Sequence, residues 1–454
     1  MDGGGNDGVQ PKGWPGQLWL EGRTIVHLLD EQPRPSHMPR GPAKRTGPGF
    51  LNPAMAPART RSVMLLNDAL QHSWLVKNEK SIRVLDALCA TGVRIRRWRN
   101  EIPSQHQSRL RISANDLDAF ALQWARESHR THPPSQPIEH EPEDDRYGKT
   151  STQVFENGLD FRQMDARMAM LETGYQWIDL DPFGSPVQFL DAALQGLSRT
   201  GVLEITATDT AALTGSSASS QARRYGAKGI VDVYAHDDAV RLLLATVATS
   251  AARLDKSMTP LLALFDGHHV RVSCLIQTSR EKASAIGDSI GWRVRENDVP
   301  YRFVRHPTPE QVRRASGPLW TGPLWDKDIA ERMTEEKALE LCQPSSDEMD
   351  SMRLSGLTWT EEDIEYSARE LRRSVRYIAD AADLMSREHL LLNLDSLPKW
   401  AGVGGAPKLE TLIGGLIEAG YAAARLPDLE PLLVTDAPFD TVLEHVRSTS
   451  KSSK

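Results

Sequence analysis

Between Ser81 and Thr278, short apolar β-type runs alternate with amphipathic helical runs, and one β-type run after another ends in aspartate. SIRVLDAL (81–88), RISAND (111–116), a weaker run inside VFENGLDFRQMDA, YQWIDLDP (175–182) and GVLEITATD (201–209) read as strands. DAFALQWARES (118–128), with Asp118 as its N-cap, PVQFLDAALQGL and DDAVRLLLATVATSAARL (237–254) read as the helices between them. Such alternation predicts an α/β fold: a doubly wound, mostly parallel sheet with helices on both faces. PLLALFDG (260–267) and HVRVSCLIQ (269–277) are separated by a short polar turn, which predicts an antiparallel pair closing the sheet.

The rest of the chain reads differently. Residues 1–16 are Gly-rich and predict a flexible tail, residues 17–278 the α/β domain, and residues 279–454 a smaller α+β domain. The second part holds GPLWTGPLWDKD, the amphipathic run EEDIEYSARELRRSVRYIADAAD as one helix, and a last helix, turn and short β ribbon. Residues 129–152 read as a polar surface insertion that takes in His129, His132 and His140, and His268 and His269 as exposed turn residues. No apolar run is long enough to span a membrane, so no membrane partner is expected. The three cysteines, Cys89, Cys274 and Cys342, are far apart and no CxxC occurs, which predicts a reducing cytoplasm and no metal.

With a net charge of −7, a nucleic-acid partner would have to meet local basic surface. Arg34, Arg40, Lys44 and Arg45 form a basic arm without acidic residues, and Arg369, Arg372, Arg373 and Arg376 recur at helical spacing. Arg94, Arg96, Arg97 and Arg99 form another run, read most simply as a solvated face.

In an open α/β sheet, ligands sit at the carboxyl ends of the strands. Asp86, with Gly92 in the turn that follows, Asp116, Asp165 with Ala166, and Asp179 with Asp181 fall there in succession. Neither GxGxxG nor GxxxxGK[ST] is present, and a carboxylate after the first strand repels a pyrophosphate. The pattern favours a nucleoside cofactor without phosphates, and S-adenosylmethionine fits it. Asp116 would take the ribose hydroxyls, Asp165 the adenine amino group, Ala166 a backbone contact to adenine, and Asp86 the methionine amine. DLDPFGSP (179–186) carries the parts needed to methylate an exocyclic amine. Asp181 and the Pro182 carbonyl would accept its two N–H groups, and Phe183 would stack on the base.

FLNPAMAPARTRS (50–62), VLDALCATGVRIRRW (84–98), AND (114–116), IDLDPFGSPVQFLDAAL (178–194), ITATDTAALTG (205–215) and GPLWTGPLWD (317–326) together resemble the tRNA (guanine-26-N2)-dimethyltransferase family, archaeal in type. The resemblance implies a seven-stranded Rossmann-like sheet with an antiparallel last strand, and a family-specific C-terminal domain that contacts tRNA. It implies that Arg59, Arg94, Asp116, Asp165 and Ala166 bind S-adenosylmethionine and that Asp181 is catalytic. It places Phe50, Trp177 and Phe183 around the target base. Arg34, Arg40, Lys44, Arg45, Arg372 and Arg373 would hold the tRNA backbone. The competing readings are an N2-methyltransferase for another tRNA guanine, and a non-catalytic RNA-binding protein on the same fold. The family's N-R-D triplet reads Ala58-Arg59-Thr60 here.

Overall fold

The computed structural model describes residues 17–28, 51–77, 80–134, 154–354, 356–357, 359–426 and 431–451. The N-terminal tail, the basic arm with Arg34, Arg40, Lys44 and Arg45, Phe50 and most of the 129–152 insertion lie outside the described residues.

Two short strands, β1 (Gln17–Glu21) and β2 (Thr24–Leu28), form an antiparallel hairpin. The strands that follow are β3 (Ile82–Asp86), β4 (Leu110–Asn115), β5 (Val154–Glu156), β6 (Leu159–Arg162), β7 (Tyr175–Leu180), β8 (Leu197–Ala207), β9 (Lys256–Phe265) and β10 (Val270–Thr278). Among the described residues these eight make the largest sheet, in the order β5-β6-β4-β3-β7-β8-β10-β9. Strands β6, β4, β3 and β7 are parallel neighbours, as the strand–helix alternation requires. The pair β9–β10 is antiparallel, as the short polar turn predicts. One strand exceeds the seven expected: β5, only three residues long, pairs antiparallel with β6. Asp118 caps its helix, Ala119–Thr131, by accepting from the Phe120 and Ala121 amides.

By packing, the chain groups into two compact units, each drawn from separated stretches. One comprises Met1–Pro182, Asp191–Glu204 and Glu335–Val375; the other comprises Phe183–Leu190, Ile205–Thr334 and Arg376–Lys454. This grouping follows contacts in space, whereas the cut near Thr278 follows a change of sequence pattern. The helix expected over 361–383 is two helices, Glu361–Val375 and Ile378–Met385, because Tyr377 adopts a left-handed φ of 68°. Arg376 therefore lies beyond the helix that carries Arg369, Arg372 and Arg373. The second unit also holds two three-stranded sheets, and Trp320 and Trp325 are buried within it. Their indole N–H groups donate to the carbonyls of Pro323 (2.8 Å) and Ala263 (2.9 Å).

The arginine run on the helix Val93–Glu101 is not a solvated face. Arg94, Arg96, Arg97 and Arg99 are all buried. Arg97 donates to Glu101 (2.7 Å), Glu21 (3.2 Å) and Thr60 (3.1 Å). Arg59 grips the same Glu21 through two 2.6 Å bonds. Burial alone would raise the Glu21 pKa, but the two guanidinium groups outweigh it and hold the carboxyl below its ordinary value. Buried charges persist only when paired, so the run is an internal frame that ties the β1–β2 hairpin to the sheet domain.

Arg96 donates to the carbonyls of Ile25 and His132. Around it lie His27, His129 and His132, all buried, so the last two do not belong to a polar surface loop. The Nε2 atoms of His27 and His132 face each other at 3.2 Å. Burial, and then the Arg96 charge, push the imidazole pKa values down from 6.5, to about 4 for His27 and about 3 for His129 and His132. Unfolded histidine binds protons below pH 6.5 that the folded protein excludes, so stability falls as pH drops from about 6.5 toward 4. Each imidazole contributes up to about 1.4 kcal/mol per pH unit in that window. Thermal unfolding followed between pH 7 and 4.5 is expected to show this loss. The His132→Gln protein is expected to show a shallower slope; an equal slope would remove His132 from the account.

Candidate active site

Because β6, β4, β3 and β7 are parallel neighbours, their carboxyl ends lie along one edge of the sheet. The turns leaving them are tied together. The Ala87 amide donates to the Asp179 carbonyl (3.0 Å), Cys89 to Asn115 (2.8 Å), and Asp116 to Arg162 (3.2 Å). The side-chain amide of Asn115, fully buried, donates to the carbonyls of both Ala87 (3.0 Å) and Met164 (3.1 Å). Asn115 thus clamps the turns after β3 and β6. Its signal in the sequence is its place immediately before the strand-end Asp116.

Asp116 is itself part of this clamp. Its two carboxylate oxygens each accept one amide, from Ala90 (2.9 Å) and Asp118 (2.9 Å). Burial raises its pKa against those bonds. Gly92, with φ of 71°, caps the helix Val93–Glu101, and a Cβ there would lie 2.9 Å from that of Ala125. Backbone conformation and close approach both demand glycine at this position. Asp165 caps the helix Ala166–Leu171 and pairs with Arg167 (2.7 Å), whose bonds hold its carboxyl down to about 2. Ala166 is buried at the start of that helix.

The densest charge lies between β3 and β7. Asp86 and Asp179 are register partners, both nearly inaccessible, and Asp181 follows β7. Arg94 reaches across from its helix: Nε lies 3.2 Å from Asp179 and Nη2 lies 2.7 Å from Asp181. Two carboxyl groups thus contact this guanidinium, and a third, Asp86, feels its charge. Burial, then the neighbouring Asp179, drive the Asp86 pKa up to about 8 against the pull of Arg94. Two polar atoms in the same region, Thr91 Oγ1 and Arg94 Nη1, are buried without a hydrogen-bond partner. Both atoms retain hydrogen-bonding capacity that water or a ligand can satisfy.

After Asp181 come Pro182, buried, and Phe183, 64% exposed. An exposed phenylalanine beside a strand-end acid is available to stack on a planar ring. Trp177 is not so placed. It is the third residue of β7, fully buried, with its indole N–H 3.2 Å from Glu204, so it cannot wall a pocket that a base enters from solvent. Arg59 holds Glu21 and the Asn52 carbonyl (2.9 Å), fixing the turn that opens the first helix. Cys89 is buried in the turn after β3, and burial raises its thiol pKa, which suits a structural residue rather than a nucleophile. His269 is buried beside Asp266 (3.2 Å), not an exposed turn residue. No group of three or more histidine, cysteine or acidic side chains able to hold a metal occurs among the described residues.

A Rossmann-like sheet with acids at the ends of successive parallel strands, and a D-P-F-G turn after the fourth, defines an α/β methyltransferase fold. The whole-chain architecture is shared with Trm1 from Pyrococcus horikoshii, solved with S-adenosyl-L-methionine: TM-score 0.70, 23% identity, 95% of this chain and 99% of that one. The family model for N2,N2-dimethylguanosine tRNA methyltransferase matches residues 36–447, and the chain belongs to that family. It is 29% identical to the tRNA (guanine(26)-N(2))-dimethyltransferase of Thermococcus kodakarensis, over 88% of this chain and 93% of the relative. It is 32% identical to the Pyrococcus furiosus enzyme of the same name, over 66% of this chain and 73% of the relative.

The raised Asp86 pKa has a consequence for stability. The folded chain holds a proton there that the unfolded chain releases above about pH 4, so stability falls as pH rises toward 8. Asp86→Asn removes this term and keeps the acceptor for the Leu88 amide. The variant is expected to be more stable than the parent at pH 8, with the gain shrinking toward pH 4. Denaturant titrations at the two pH values check it; a pH-independent difference would contradict the assignment.

Proposed function

We propose that this protein transfers methyl groups from S-adenosylmethionine to the exocyclic N2 of guanine 26 in tRNA. The observation that carries the reading is the pairing of Asp181 with Arg94 in a cluster of strand-end carboxylates, in a chain that belongs to the dimethylguanosine tRNA methyltransferase family.

The residues present fit the cofactor. It carries an ammonium and a sulfonium, and the site has three carboxyl groups against one guanidinium, an excess of negative charge that a cation relieves. Asp86 would hold the methionine amine, Asp116 the ribose hydroxyls, Asp165 and the Ala166 backbone the adenine. Arg94 and Gly92 shape the turn, and the unpartnered Arg94 Nη1 and Thr91 Oγ1 are available to the ligand. For Arg59 the support is for positioning, since it fixes the Asn52 turn. When bound, the cofactor supplies an electrophilic methyl.

The chain's own residues handle the amine. The nitrogen lone pair of guanine N2 is delocalised into the ring, so the amine is a weak nucleophile. Asp181 and the Pro182 carbonyl each accept one N–H, which returns electron density to nitrogen. As the N–C bond forms, Asp181 takes the proton that leaves. Arg94, at 2.7 Å, fixes the orientation of that carboxylate. Phe183 stacks on the base, which must leave the tRNA stack to arrive there.

Arg372 and Arg373 are exposed on the helix Glu361–Val375 and would contact phosphates, as would the basic arm outside the described residues. No helix among the described residues is long and apolar enough to cross a membrane. The three cysteines are buried and free, which supports a reducing, cytoplasmic setting.

Incubation with labelled cofactor and unmodified tRNA, followed by mapping of the methylated nucleotide, tests the reading. Label is expected at guanine 26; label at a different guanine would favour the runner-up substrate, and no label would end the enzymatic reading. Asp181→Ala is expected to lower the rate at saturating S-adenosylmethionine by ~10²–10⁴. Parent-like turnover would remove Asp181 from the mechanism.

A further inference from the structure

Immediately after Pro182 the chain turns at Phe183-Gly184-Ser185, and this turn is held from one direction by the segment that follows β8. Gly184, with φ of 77°, donates its amide to Thr208 Oγ1 (2.7 Å), and its carbonyl accepts from the Thr208 amide (2.9 Å). The next residue is held through a longer path. Ser185 Oγ lies 3.0 Å from the Tyr225 hydroxyl, which donates to Asp209 Oδ1 (2.7 Å). Arg224 occupies the other oxygen of Asp209 (2.8 Å). Tyr225 is 7% exposed and is the last residue of the helix Ala218–Tyr225, which Gly226 stops in a left-handed conformation.

The direction of the path follows from donor and acceptor counts. An ionised carboxylate only accepts, so the Tyr225 proton goes to Asp209, and the Tyr225 oxygen accepts from the Ser185 hydroxyl. Burial and the adjacent Asp209 push the phenol pKa up, so it keeps that proton at any working pH. Ser185 Oγ then faces the Val187 amide (3.5 Å) with a lone pair. Every rotor in the path has one orientation.

We propose that Thr208, Asp209, Tyr225 and Ser185 act as a positioning set for Phe183, fixing the turn that presents this ring to the flipped guanine. The proposal rests on the methyl-transfer reading above. It gives a task to TATDTAALTG, a motif that the cofactor and proton-transfer roles leave unused. Phe183 is carried on this turn with 64% of its surface exposed, so the backbone conformation of the turn sets where the ring can lie. Small misplacement of a positioning group is costly, on the order of 10²-fold in rate for about 1 Å.

Tyr225→Phe keeps the ring and removes the one hydroxyl that joins Ser185 to Asp209. Two readouts on the full-length protein test the set: hydrogen exchange of the amides in 184–189, and the methylation rate with tRNA. In Tyr225→Phe, exchange at Gly184 and Val187 is expected to rise, and kcat to fall, each by about tenfold. The dissociation constant for S-adenosylmethionine is expected to stay unchanged. Ser185→Ala should show the same losses, and the double variant no more than either single one, because both cut the same path. Unchanged exchange, unchanged kcat, or losses that multiply in the double variant would overturn the proposal. A parent protein that methylates no tRNA would count against the functional reading instead, and the exchange data would still decide whether the path holds the turn.

Discussion

The guanidinium of Arg94 between Asp179 and Asp181 is the interaction on which the site depends. It is a buried cation facing more negative charge than it can balance, since Asp86 lies in register with Asp179. Low dielectric makes such an imbalance costly, and the chain answers it by keeping Asp86 protonated at neutral pH. A site prepared in this way is poised for a cation. It also keeps Asp181, at the solvent side of the cluster, in one orientation without burying it completely: its side chain retains 20% exposure.

The same economy of charge runs through the scaffold. Arg97 and Arg59 share Glu21, Arg96 takes backbone carbonyls, and Arg99 donates to Gln107 (2.7 Å). Buried ion pairs add little net stability, but removing one partner leaves an uncompensated charge at a cost of about 3–5 kcal/mol. They therefore act as specific fasteners. Here they fasten the β1–β2 hairpin and the turn before the first helix. In the second unit Arg293 does the same for Asp232 and Asp238, at 3.0 and 2.6 Å.

Much of this was legible in the residues. Strand–helix alternation gave the parallel core, Asp118 gave a helix start, and the polar turn at 266–269 gave the antiparallel pair. The strand-end acids were found because β-strands end where polar residues begin, a signal local in sequence. What failed was non-local. Arg97 and Glu101 are helix neighbours at i,i+4, but whether the run faces water or carboxylates also depends on Glu21 and Asp179, and no spacing rule connects those two to the helix. Trp177 was placed by resemblance, but its position inside β7 puts it in the core. The break at Tyr377 is a single left-handed residue with no glycine or proline to announce it. The Ser185–Tyr225–Asp209 path joins residues up to 40 apart, and only folding brings them together.

In the proposed reading, the carboxyl cluster around Arg94, with a proton held at Asp86, receives the cationic cofactor. Calorimetric titration of the protein with S-adenosylmethionine from pH 5.5 to 7.5, in buffers of different ionisation enthalpy, tests it directly. With its raised pKa Asp86 is largely protonated before binding at these pH values, and a bound cation favours the carboxylate, so binding should release up to one proton and affinity should rise with pH. Asp86→Asn should abolish both the proton release and the pH dependence. A parent protein that binds with no proton release, at an affinity indifferent to pH, would contradict the account.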